Sequence, residues 1–170
     1  MISKLTPRLG YFLGFLTCGL LLAYALYLQY YELQDPCPLC IFQRVAFLVL
    51  GIFFLIGAVH APKRAGVYVY STLQFLAAGI GAAIATRHVW LQHLPKDKVP
   101  ECGPGLSYIL ERFPFSQALD KVFRGSGECA EVGWTFLHLS IAEWSLVCFV
   151  GLAILALTVA VVASKRAGAR

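Results

Sequence analysis

Charge is scarce in this chain. Only 14% of its 170 residues are Asp, Glu, Lys or Arg, against about 25% in ordinary soluble domains. Hydrophobic residues make up 59%, and the mean hydropathy is +0.71. A chain of this length has too much surface for its volume to hide that much apolar area from water. A soluble monomer is therefore excluded, and so is disorder. A basic stripe is also missing. The net charge is +5, but the positive residues sit in short segments between apolar runs. That pattern encodes membrane topology, not a phosphate footprint. The expected partner is the lipid bilayer, with no nucleic acid. There is no internal repeat and no low-complexity stretch.

What is present is four apolar stretches, each long enough for the ~20 residues that a helical span needs. They run over about 11–30, 41–60, 67–86 (extending toward Leu91) and 144–163. Strands are excluded, because an open sheet edge finds no hydrogen-bond partners in lipid. The fold class expected is an all-α membrane protein. It is a single integral domain over 1–170, built as a four-transmembrane-helix bundle.

An even number of spans puts both termini on one side. Lys4, Arg8, Lys63, Arg64, Lys165, Arg166 and Arg170 fall on that side, with no acid. The other side holds Arg44, Arg87, Lys96, Lys98, Arg112, Lys121, Arg124 and all nine acids. The positive-inside rule then assigns both termini to the cytoplasm. The N-terminal segment has a basic start and an Ala23-Tyr24-Ala25 triplet that mimics a cleavage site. Its apolar run continues to about Leu28, beyond a typical signal core, so it is expected to stay as a span.

Two outer segments remain, a short one over about 31–40 and a long one over about 92–143. The long one is rich in Pro and Gly, and a loop of that length in a compact protein usually has a function. Its middle, 113–123, sets Phe115, Leu119, Val122 and Phe123 at helical spacing opposite Gln117, Asp120, Lys121 and Arg124. That pattern predicts a short amphipathic helix, lying on the membrane surface or packed on the bundle.

Of six cysteines, four fall outside: Cys37, Cys40, Cys102 and Cys129. The orientation made no use of cysteine, yet it places two possible pairs in an oxidising compartment. Cys37-Pro38-Leu39-Cys40 closes a small ring of the kind that exchanges readily with other thiols. Cys40 lies where the chain enters span two, and a helix N-terminus favours a thiolate. Arg44 follows one turn later on the same face. It would either favour the Cys40 thiolate or hold an electron-rich oxygen on a bound partner. A metal is not expected, since a structural zinc site takes four ligands and a ribbon's paired spacing is missing. Haem attachment is excluded by Ile41, which stands where a His is required. Glycines flank Cys102 and Cys129 in flexible, exposed contexts, which predicts sulfurs that move or are approached closely; a loop-stapling disulfide is the bland alternative. Cys18 and Cys148, inside spans, are expected only to pack.

These features resemble the DsbB family of disulfide bond formation proteins over essentially the whole length. The resemblance rests on four spans, the string Cys37-Pro38-Leu39-Cys40-Ile41-Phe42-Gln43-Arg44, and a long second loop with Cys102 and Cys129. It implies a quinone-dependent oxidoreductase that reoxidises DsbA, a soluble periplasmic thiol oxidase. It implies ubiquinone or menaquinone as the cofactor, the bacterial inner membrane as the location, and periplasmic cysteine loops. By the same resemblance, Cys102 forms the mixed disulfide with the partner and Cys129 exchanges with Cys37. Cys40 faces the quinone and Arg44 stands beside it. Arg87, His88 and His93, near the outer end of span three, are further candidates for the quinone site. A histidine there would relay quinone protons, and the spacing does not choose between the two.

Chemistry supports that order. A chain of exchanges needs a poised thiolate at its acceptor end, a quinone lives in lipid, and Cys40 is the deepest of the four outer cysteines. A specialised paralogue serving one client would share all these residues. A vitamin K epoxide reductase type places its reactive pair on a late helix, unlike Cys37 and Cys40. From another class, a non-catalytic four-span transporter or assembly protein would carry the cysteines as structural disulfides. Transporters usually keep an ionisable residue deep in a span, and here only Arg44, in a span's first turn, comes close.

Overall fold

The computed structural model describes residues 6–62, 65–99 and 127–168. Cys102, the amphipathic segment 113–123, and Lys63 and Arg64 lie outside the described residues. Four long helices dominate: α1 (Pro7–Tyr30), α2 (Pro38–His60), α3 (Ala65–Gln92) and α4 (Ile141–Gly168). All four are long and apolar enough to cross a bilayer. The protein is a four-helix, multi-pass membrane protein. Two short 3-10 turns, Lys96–Lys98 and Gly127–Cys129, and a two-stranded hairpin decorate one end. The hairpin pairs β1 (Thr135–Phe136) with β2 (Leu139–Ser140) in antiparallel register. It is a small departure from the all-helical expectation.

Helices α1, α2 and α4 start where the backbone's unpaired N–H groups find acceptors. Thr6 caps α1 by accepting from the Leu9 N–H at 3.3 Å, with Pro7 at the first helical position. Cys37 caps α2, its sulfur accepting from the Cys40 N–H at 3.4 Å, again with Pro next. Before α4, Ser140 and Glu143 form a capping box. The Ser140 hydroxyl accepts from the Glu143 N–H at 3.2 Å, and the Glu143 carboxylate accepts from the Ser140 N–H at 2.7 Å. Caps and prolines lie outside the apolar stretch, so the helices overrun the 20-residue spans. As a result Arg44 sits in the second turn of α2, not the first.

Helix α1 packs on α2, α2 on α3, α3 on α4, and α4 returns to α1. The core is formed by Tyr11, Phe47, Leu50, Phe54, Phe149, Leu152 and Val159. Leu20, Val59 and Ile80 point outward, as lipid-facing positions do. Lipid is as apolar as leucine, so dispersion and close backbone approach hold the helices together. At the centre, the Phe47 and Phe149 rings stack 3.9 Å apart at 7°. Gly81 of α3 makes room for them, since a Cβ there would overlap the Phe149 ring. On α1, Gly14 lies against Phe54 in the same way. Replacing Gly81 with Ala should overpack the bundle and lower its stability by about 1–3 kcal/mol. Thermal or SDS unfolding in detergent checks this; an unchanged midpoint would mean that Phe149 repacks freely.

Candidate functional site

The chemistry-bearing residues gather at the end of the bundle where the Cys37 cap, the last turns of α3 and the Gly127–Cys129 turn meet. The Cys37 thiol donates to the Cys40 sulfur at 3.1 Å. Cys129 is hydrogen-bonded to Cys37 through its side chain. Around them Leu39, Ile84 and Leu91 form a small apolar cluster. Cys129 is 0% exposed. That corrects the expectation of an exposed context, and of the two roles open to the flanking glycines it is close approach that the structure shows: Gly127, itself buried, lies in a turn pressed against the helix ends.

The Cys129 hydrogen bond draws Cys37 toward the thiolate. The Cys40 hydrogen bond and burial outweigh it, and the Cys37 thiol is pushed up to about 12. The Cys37 thiol is thus protonated at neutral pH.

His88 completes the cluster at 3% exposure. Its Nε2 lies 3.7 Å from the Cys37 sulfur, and its Nδ1 lies 3.1 Å from Gln43 Nε2. The Cys129 main chain also hydrogen-bonds the ring. His93 sits elsewhere. Its side chain is 67% exposed, its Nδ1 meets the Val89 carbonyl at 2.9 Å, and its Nε2 is 3.9 Å from Glu143. Five helical residues rotate the face by about 140°, so His88 and His93 point different ways. Arg87, one residue before His88, stacks its guanidinium 4.2 Å over the Trp90 ring and does not line the cavity described next.

A cavity of about 470 Å³ opens beside the sulfurs, a size typical of small-molecule sites. Leu21, Leu22 and Leu28 of α1, Phe47 of α2, and Trp144 and Cys148 of α4 give it apolar walls. Cys37, Cys40, Arg44 and His88 also line it. Arg44 donates to the Gln29 side-chain oxygen and, at 3.0 Å, to the Ala25 carbonyl, so α1 clamps it in place. Trp134, just before the hairpin, and Phe136 within it lie at the cavity, and the Trp144 indole N–H donates to the Phe136 carbonyl at 3.0 Å. A flat apolar ring with oxygens at its edge fits this lining. The walls are apolar, and the Arg44 guanidinium offers donors.

Cys37, Cys40 and His88 also offer three ligand atoms within 4.8 Å of one another. That is one short of a closed structural zinc site.

Gln43, Gln29 and Trp134 were not singled out from the sequence. A lone amide in an apolar run at the third residue after Cys40 was the available signal for Gln43. Gln29 had none, because its role depends on how α1 packs on α2. Cys18 is packed in the core against Gly51, and Cys148 contributes to the cavity wall.

Known proteins resemble this chain over most of its length. The family profile described as "Disulfide bond formation protein DsbB" matches residues 7–159. A "Disulfide bond formation protein B" of Nitrosococcus oceani is 53% identical over 154 residues, covering 91% of each chain. One of Hahella chejuensis is 54% identical over 151 residues, covering 89% of this chain and 92% of its own. One of Methylobacillus flagellatus is 48% identical over 161 residues, covering 94% and 97%. This chain belongs to the DsbB family of disulfide bond formation proteins.

Proposed function

We propose that the protein is a thiol:quinone oxidoreductase of the bacterial inner membrane. It reoxidises a periplasmic dithiol oxidase of the DsbA type and passes the electrons to ubiquinone or menaquinone. The observation that carries this reading is the shared wall: Cys37 and Cys40, in contact with each other, border an apolar cavity that also holds a clamped arginine, and Cys129 meets Cys37 from behind that wall.

In this reading Cys102 takes the partner's attack, and Cys129 hands the exchange to Cys37. The Cys37–Cys129 contact supports that hand-off, because disulfide exchange needs sulfurs that can approach in line. Cys40 is the cavity-side sulfur. Arg44 supplies a fixed positive charge where negative charge develops on an acceptor oxygen. His88, buried beside Cys37, is the histidine of this region that the fold brings to the sulfurs. A quinone bound in the cavity supplies a two-electron sink for the dithiol. Both termini lie in the cytoplasm and the cysteine loops in the periplasm, as the charge distribution favours.

The test is a reconstitution in nanodiscs with ubiquinone or menaquinone and a reduced Cys-x-x-Cys oxidase as donor. Quinone absorbance should fall with multiple turnovers. Cys102→Ser should lower the rate by about a thousandfold, the scale of losing an essential reacting group, because the sulfur that the partner attacks is gone. No turnover with either quinone would overturn the reading in favour of structural disulfides.

A further inference from the structure

Gln43 is an unusual residue to bury. It lies in the second turn of α2, between Cys40 and Arg44, and is 3% exposed. Its amide nitrogen is 3.1 Å from His88 Nδ1. An amide N–H₂ only donates, so Nδ1 must accept and the ring's one proton must sit on Nε2. That nitrogen faces the Cys37 sulfur at 3.7 Å.

We propose that Gln43 is a positioning residue for the disulfide exchange: it fixes the neutral His88 tautomer whose Nε2–H faces the Cys37 sulfur. The proposal rests on the reading of Cys37 as the sulfur that exchanges with Cys129. In that exchange the Cys129–Cys37 bond breaks as Cys129 bonds to Cys102, and the electron pair departs on Cys37. His88 hydrogen-bonds that sulfur while it carries charge, and the proton stays on nitrogen. Such a donor matters because the Cys37 thiolate is disfavoured at this buried position, with the thiol pushed up to about 12 despite the Cys129 hydrogen bond. A carboxylate in place of Gln43 would do the opposite. It only accepts, so it would draw the proton to Nδ1 and leave Nε2 without one.

The ring nitrogens report this directly. The full-length protein, labelled with ¹⁵N-histidine in nanodiscs without quinone, gives the ring shifts, and His88→Asn assigns them among the four histidines. His88 should show a protonated Nε2 and an unprotonated Nδ1. Gln43→Glu should invert the pattern. Gln43→Leu should lose the fixed tautomer and slow donor-to-protein disulfide exchange about tenfold, less than removing an acid–base group outright. That rate is read without quinone by acid quench and thiol alkylation.

A protonated Nδ1 in the wild type would overturn the proposal, as would wild-type exchange rates in a folded Gln43→Leu variant. If that variant does not fold, the wild-type and Gln43→Glu spectra decide. The expected spectra together with a wild-type protein that oxidises no donor would sink the functional reading, and with it the exchange role, while leaving the tautomer assignment standing.

Discussion

Cys40→Ser should lower quinone-dependent oxidation of the donor by about a thousandfold or more, the scale set by removal of an essential nucleophile. One equivalent of donor per protein should still be oxidised by the remaining disulfide. The reason lies in where Cys40 sits. It occupies the first turn of α2, takes a hydrogen bond from the Cys37 thiol at 3.1 Å, and forms part of the cavity wall. Electrons that reach Cys37 leave as a pair only when a second sulfur closes a disulfide with it. A serine hydroxyl keeps the cap geometry but forms no such bond. Quinone absorbance and donor thiol titration, read in parallel, separate turnover from the single equivalent. Sustained turnover in Cys40→Ser would move the cavity-side role to another sulfur. Cys148, which also lines the cavity, is the next candidate.

The four spans were legible because lipid leaves the backbone few choices, and ~20 apolar residues in a row have one solution. Cys37, Cys40 and Arg44 were legible because three- and four-residue spacings on a helix start translate directly into one face. Distances between elements were not legible. Nothing in the chain said that Gln29, fifteen residues before Arg44, would hold its guanidinium. Nor did it say that His88 rather than His93 would meet Cys37, because that depends on how α3 is rotated against α2. The glycines beside Cys129 left two readings open for a physical reason: glycine permits a mobile loop and a tightly pressed turn equally well. The hairpin at 135–140 gave no signal either. Its turn places Leu137 at φ 51° and His138 at φ 65°, where Asn-Gly would be the familiar pair.

Arg44→Leu should lower kcat/KM for the quinone by about a hundredfold or more, in the range seen when one transition-state donor is removed. The same variant should leave the single-equivalent exchange between donor and protein disulfides intact. Both groups that hold Arg44, the Gln29 side chain and the Ala25 carbonyl, are neutral. They fix the guanidinium without cancelling its charge, so the charge remains available to an oxygen in the cavity. Near membrane depth that charge is screened far less than in water. Arg44→Lys should recover part of the rate. It restores a positive charge but not the planar fork that reaches two acceptors on α1 at once. Losing the clamp should also cost about 1–2 kcal/mol of stability, because Gln29 and Ala25 are left without their donor. Thermal unfolding in detergent reads that part separately from the rate. Quinone turnover by Arg44→Leu at the wild-type kcat/KM would reduce the arginine to a strut between α1 and α2. Loss of the single-equivalent exchange as well would place its effect on the cysteines and not on the cavity.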